Sequence, residues 1–337
     1  MGRGGARHWR ADGVAKVQRR LFLATASALP FGRVAAQPAW APTRPVRIIV
    51  PLAPGGTADT VARLIADPLA ARLGQPVIIE NRPGGTNTVG AVQVARAAPD
   101  GLTLLYAPPP VQILNPLMMR SMPYDAMADF TPVVALMRAP KLLVVRPDFP
   151  ATSVAEFIAV ARARPGAITY ASSGIGSSAH LAGALLAQMA GIELLHVPYR
   201  GTAPGVQDLM AGRVDMTLDT AAALLPLVRE GRLKALAVST RDPAQAAPEL
   251  PPIAATLPGF HDASFNYLLA PARTPPEIIA VLNAAVNRVL TEPTVRARYA
   301  ALGAEPVGGT PEELAAMVRE EIERWRAVIQ AQGITIE

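Results

Sequence analysis

An α/β architecture in two lobes, with mostly parallel sheets, is the fold this sequence predicts. Three observations point to it. Short apolar strands alternate with helical patterns, as strand–helix–strand units require. Two such series follow one another within 337 residues, a length that holds two cores of ordinary size. Glycine turns join strand to helix where ligands of open α/β sheets bind, outside the carboxyl ends of the strands.

The elements run in the following order. Residues 1–36 carry seven basic residues and one acid, with Arg19-Arg20 before an apolar stretch at 21–29 and small residues Val34-Ala35-Ala36 before Gln37. This pattern predicts a cleavable export signal, of the Sec or the twin-arginine type, and hence a periplasmic protein. The rest of the chain has 25 basic and 25 acidic residues, so the net charge of +6 belongs to the leader. The basic balance is therefore no argument for nucleic acid. The absence of cysteine excludes disulfides, thiolate metal sites, a cysteine nucleophile and a lipoprotein anchor.

In the first series a strand at 46–50 leads into the turn Pro54-Gly55-Gly56-Thr57 and a helix at 58–73, stopped by Gly74. A strand at 77–80 leads into Pro83-Gly84-Gly85-Thr86 and a helix at 88–97. Pro99-Asp100-Gly101 turns the chain into a strand at 102–106. Residues 107–132, rich in Pro and Met, carry less regular signals, and 141–145 is a buried strand. The second series alternates helices at 153–164, 178–190, 204–211 and up to 230 with strands at 168–171, 194–197, 214–218 and 234–239. An irregular crossover at 242–259, a strand at 265–269 and helices near 275–291, 293–301 and 311–331 complete the chain.

Each glycine turn exposes several backbone N–H groups at the positive end of a helix dipole, which suits an anion without a charged side chain. Asp59, in the first helical turn, is expected to organise that loop or to accept from a ligand hydroxyl, amine or water. Gly174-Ile175-Gly176-Ser177-Ser178 imitates a dinucleotide fingerprint, but the acid expected about 20 residues on is missing, since the next strand ends His196-Val197-Pro198. The N–H groups there and the hydroxyls of Ser173, Ser177 and Ser178 instead suit a polar ligand or a helix cap. His180 with Ser172 or Ser173 would make half of a hydrolase or transferase pair, yet no Gly-x-Ser-x-Gly elbow occurs. His180, His196 and His261 lack metal-ligand spacing, and no phosphate-loop lysine motif occurs, so no cofactor is expected.

At these residues the chain resembles the Bug-type extracytoplasmic solute receptors of tripartite tricarboxylate transporters. The resemblance covers nearly all of 44–337. It rests on Pro54-Gly55-Gly56-Thr57-Ala58-Asp59, Glu80-Asn81-Arg82-Pro83-Gly84-Gly85, Pro99-Asp100-Gly101 and Gly176-Ser177-Ser178-Ala179-His180-Leu181. His196-Val197-Pro198-Tyr199-Arg200-Gly201 and Gly212-Arg213-Val214-Asp215 extend it. It implies a type II periplasmic-binding-protein fold without catalysis, with lobe 1 at 44–142 and 263–337 and lobe 2 at 143–262. A small organic carboxylate would be held by Pro54, Gly55, Gly56, Thr57 and Asp59 and by Gly84, Gly85, Thr86 and Asn87. The other lobe would add Ser172, Ser173, Ser177, Ser178, His180, Tyr199, Gly201, Thr202 and Asp219. The implied partners are membrane permease subunits, or a signalling protein in their place, with the receptor itself a monomer. The chain departs from the family at Ala107-Pro108-Pro109-Pro110 and at Phe265-Asn266-Tyr267. Three prolines remove three N–H donors. A less polar or aromatic acid than citrate is therefore expected.

Overall fold

The computed structural model describes residues 40–336, and the export signal expected at 1–36 lies outside the described residues. β1 (Val46–Val50), α1 (Thr57–Leu73), β2 (Val77–Asn81), α2 (Thr88–Ala95) and β3 (Thr103–Ala107) form the first series. β1 lies between β2 and β3, parallel to both. Its side chains alternate between faces, as strand geometry dictates. Val46, Ile48 and Val50 pack with Val61, Ile65 and Leu69 of α1, while Ile49 packs with Ala91 and Val94 of α2. α1 ends at Gly74, whose φ of 71° lets its N–H reach the Ala70 carbonyl.

A wide helical turn over Pro110–Leu114 and the four-residue α3 (Asn115–Met118) follow β3. The sequence carries only less regular signals here. Prolines are compatible with a helix start, where the missing N–H would have no acceptor anyway. The Pro108 carbonyl accepts from Val111 N and the Pro109 carbonyl from Ile113 N and Leu114 N.

The chain continues with β4 (Phe130–Val145), α4 (Val154–Ala163), β5 (Ile168–Ser172), α5 (Ser178–Ala190) and β6 (Leu194–Pro198). Then come α6 (Thr202–Met210), β7 (Met216–Thr220), α7 (Ala221–Arg229), β8 (Lys234–Val238) and β9 (Ala263–Pro271). α8 (Pro276–Leu290), α9 (Pro293–Ala301), β10 (Glu305–Gly308) and α10 (Pro311–Gln332) close it. The strands join in the order β2-β1-β3-β9-β4-β7-β5-β6, with β8 and β10 also on β4. Pairing is parallel among β1, β2 and β3 and among β5, β6 and β7. It is antiparallel wherever β4 or β9 takes part. The α/β class holds, while the mostly parallel sheet becomes a mixed one because two long strands return through its middle.

β4 changes neighbours in mid-course. Phe130 to Pro140 pairs with β9, and Lys141 to Val145 lies between β7 and β8. At the change Lys141 is fully buried and its Nζ lies 2.5 Å from Asp262 Oδ2. The backbone is tied at the same place: Lys141 N donates to Ser239 Oγ, Ser239 N to the Lys141 carbonyl, and Asp262 N to the Ser239 carbonyl. The three chain segments at residues 141, 239 and 262 thus meet in one hydrogen-bonded knot around a buried ion pair.

Candidate functional site

The first glycine turn follows β1. Gly56 caps α1 in extended conformation with no side-chain cap, so the N–H groups of Gly56, Thr57 and Ala58 have no acceptor within the helix. The Gly55 N–H is already engaged, donating to Asp59 Oδ2 at 2.9 Å. Asp59 is 4% exposed and also accepts from Arg63 Nε at 3.0 Å through both oxygens. The Arg63 hydrogen bond, and more weakly the Gly55 N–H, hold this carboxyl below the usual range against the opposing effect of burial. Arg63 goes on to Asn81 Oδ1, and Asn81 Nδ2 donates to the Leu52 carbonyl. Of the two roles expected for Asp59, this geometry matches the loop organiser.

The second turn stands beside the first because Val50 is in register with Asn81. Gly85, Thr86 and Asn87 run consecutively at φ of 54°, 52° and 76°. Left-handed conformation at two non-glycine residues costs on the order of 1 kcal/mol each and persists only where neighbours enforce it. Here they do. Asn87 Nδ2 donates to the Pro51 carbonyl at 2.9 Å, Asn115 Nδ2 to the Thr86 carbonyl at 2.7 Å, and Thr88 Oγ1 to the Gly85 carbonyl at 2.7 Å. Gly90 completes the join, since a Cβ there would lie 2.9 Å from Pro51 Cβ. Asn87 therefore fixes the second turn to the strand end that carries the first.

Ser172, at the end of β5, opens the loop of the second series. Gly174 and Gly176 have φ of 132° and 73°. Ser177 caps α5, its Oγ accepting from His180 N, and Ser178 Oγ lies 3.3 Å from Ser264 Oγ of β9. The sequence pairs His180 with a serine; the structure pairs Ser172 Oγ with His196 Nε2, at 2.6 Å. His180 Nδ1 instead accepts from Gly176 N at 3.0 Å. Burial, with the neighbouring His180 second, lowers His196 to about 4, and burial lowers His180 as well. Ser172 is 3% exposed. A buried serine beside so weak a base is poorly equipped as a nucleophile near neutral pH.

The remaining expected residues flank α6. Gly201 is its N-cap at φ 109°, again with no side-chain cap. Thr202 Oγ1 donates to Asp219 Oδ2 at 2.9 Å, and Thr220 N donates to the other oxygen. The Tyr199 hydroxyl turns away from this end and donates to Asp208 Oδ2 at 2.7 Å.

One link between the two series is not legible in the sequence. Asn115 and Met118, on one face of α3, reach in two directions. Asn115 holds the Thr86 carbonyl, while Met118 and Ile336 lie against Gly176. The second glycine turn and the Gly174–Ser178 loop thus meet on the same short helix. The helix starts that follow β1, β2 and β6 have no side-chain caps, and each is suited to binding an anion.

The family model described as Tripartite tricarboxylate transporter family receptor matches residues 61–334. Protein BugT of Bordetella pertussis is 35% identical over 298 residues, covering 88% of this chain and 91% of its own. The solved R. palustris protein Rpa4515 with adipate is 41% identical with a TM-score of 0.76, over 87% of this chain and 99% of that one. MatC from Rhodopseudomonas palustris with bound malate is 38% identical with a TM-score of 0.71, over 86% and 99%.

Proposed function

The chain belongs to the tripartite tricarboxylate transporter receptor family, and from that premise we propose that it is a periplasmic receptor for a small organic carboxylate. The observation that carries the proposal is the pair of glycine turns on adjacent parallel strands, locked together by Asn87. Backbone N–H groups of Gly56 and Thr57 and of the Gly84–Asn87 turn would hold the carboxylate. Ser173, Ser177, Ser178, Gly201 and Thr202 would close on it from the other lobe. Lobe 1 comprises residues 44–142 and 263–337 and lobe 2 residues 143–262, with the knot at Lys141, Ser239 and Asp262 as the place where the lobes turn. The loaded receptor, a monomer, would pass its solute to membrane permease subunits and perform no catalysis.

The solute proposed is less polar than citrate. Val89 is 51% exposed beside the second turn and Ile175 is 61% exposed within the opposite loop. The three prolines after β3 offer no N–H groups, and their carbonyls already accept from the helical turn that follows. Two relatives solved with adipate and with malate are in keeping with a dicarboxylate.

Calorimetry of the purified protein with adipate, malate, citrate and the diamide of adipic acid tests this. One-to-one binding of a dicarboxylate at micromolar affinity or better is expected, corresponding to about −8 kcal/mol. Citrate should bind more weakly and the diamide not at all. Tightest binding of citrate would remove the less-polar solute. Ester turnover that disappears in Ser172→Ala or His180→Ala would replace the receptor with an enzyme.

A further inference from the structure

Two histidine rings lie face to face under the Gly174–Ser178 loop, and the binding role just proposed makes no use of them. Their meeting follows from strand register. Tyr170 of β5 is paired with His196 of β6, so both side chains leave the sheet on one face. α5 covers that face and brings His180 over them from its first turn. The His180 and His196 rings are 5° from parallel with centroids 3.8 Å apart, and Tyr170 continues the stack 4.8 Å from His196. Gly183 makes the room, because a Cβ there would strike the Tyr170 ring.

Each histidine is tied to one glycine of the loop. Gly176 N donates to His180 Nδ1 at 3.0 Å. His196 Nε2 lies 2.6 Å from Ser172 Oγ, which accepts from Gly174 N at 3.2 Å. Both glycines have the positive φ that gives the loop its shape. The Gly176 bond has a strict requirement: Nδ1 of His180 must carry a lone pair, which an imidazolium lacks. Two further features disfavour a proton there. A charged ring would lie against a second ionisable ring, and α5 begins at this point with the positive end of its dipole.

We propose that His180 is a positioning residue: neutral and backed by His196, it holds the loop of residues 174–178 in its binding shape, and acid releases that loop. The inference rests on the carboxylate-receptor reading for its consequence, though the latch itself is independent of any ligand. The titratable groups facing the pair are the two imidazoles themselves and the Tyr170 phenol of β5. β7 and α10, also packed on α5, add no charge that moves either ring. Burial lowers both histidines from 6.5. The latch is therefore closed at neutral pH and opens on acidification below the ordinary histidine range.

Nuclear magnetic resonance of the ligand-free protein between pH 4 and 7.5 tests the latch. The Gly176 amide should be protected from exchange at pH 7, and its resonance should move with the same midpoint as the His180 ring. His180→Ala should lose that protection at every pH, whereas His180→Asn, a neutral acceptor, should restore it and abolish the pH dependence. In calorimetry with adipate, wild type should lose at least threefold more affinity than His180→Asn between pH 7 and the acid side of the His180 midpoint read by resonance. The variant corrects for protonation of adipate itself. A Gly176 amide that ignores the His180 titration, or equal behaviour of the Ala and Asn variants, would overturn the proposal. If no carboxylate binds at pH 7.5 while the Gly176 signal follows His180, the receptor reading fails and the latch stands.

Discussion

Asn87 contributes two separable things to the second glycine turn: a backbone tolerant of φ 76° and an amide that reaches the Pro51 carbonyl. Asn87→Gly removes only the amide, at a cost of about 1 kcal/mol for a buried hydrogen bond. Asn87→Ala removes the amide and also places a Cβ-bearing residue without local compensation in the left-handed region, adding roughly 1 kcal/mol. Urea unfolding should therefore rank wild type above Gly and Gly above Ala. Adipate affinity should fall in both variants, because the turn loses its tie to the first one. An alanine variant as stable as the glycine variant would show that the backbone conformation is not under strain. Asn115 supports the same turn, yet nothing in its sequence context marks it. Its role depends on a contact between residues 86 and 115 that only the folded chain creates. Asp59 is different. Its i,i+4 spacing to Arg63 is visible in the chain, and that pair holds the carboxylate beside the turn.

At the scale of elements, β4 shows both the use and the limit of pattern reading. Residues 141–145, a lysine followed by four apolar residues, predict a buried strand, and they lie in one. Residues 130–140 contain Pro132, Arg138 and Pro140, which obscure the same strand. In the structure the register against β9 shifts between Pro132 and Val134, and Pro140 stands where the strand exchanges one set of neighbours for another. The prolines thus occupy irregular or terminal positions of the pairing, which no local propensity reveals. The helices at the end of the chain and the strands of both series were legible because their periodicity is local; β10 and α3, at four residues each, are too short to show any. The ion pair at the exchange point makes a firm prediction. Lys141→Ala leaves Asp262 buried without a partner and should cost about 3–5 kcal/mol. Lys141→Met with Asp262→Leu removes both charges and should recover most of that loss. Chemical denaturation of the two variants checks it, and a double variant no better than the single would mean that the hydrogen bonds of the knot, not charge balance, set its stability.

For the whole molecule, buried His180 and half-buried His196 and His261 shape the response to acid. Burial lowers His196 and His261 to about 4 and lowers His180 as well; for His261 the nearby Arg324 adds to the effect. Between the unfolded value near 6.5 and these folded values, the unfolded chain binds more protons, so stability rises with pH across that window. The contribution is complete above about 6.5, declines as pH falls towards 4, and changes no further below. Glu321 acts in the opposite sense. Burial pushes it up to about 7 despite Arg324, so between its unfolded value and 7 the folded chain is the one that holds the proton. Three histidines against one glutamate leave a net loss of stability on acidification between pH 7 and 4, which a falling Tm would read. The glutamate gives the test its second arm. Glu321→Gln removes the opposing contribution, so its stability should fall more steeply with acid than that of wild type, while His196→Asn should flatten the slope. Thermal unfolding at half-unit steps from pH 4 to 7.5 reads all three. A wild-type Tm that stays level, or a Glu321→Gln slope no steeper than wild type, would show that these buried groups do not govern the acid response.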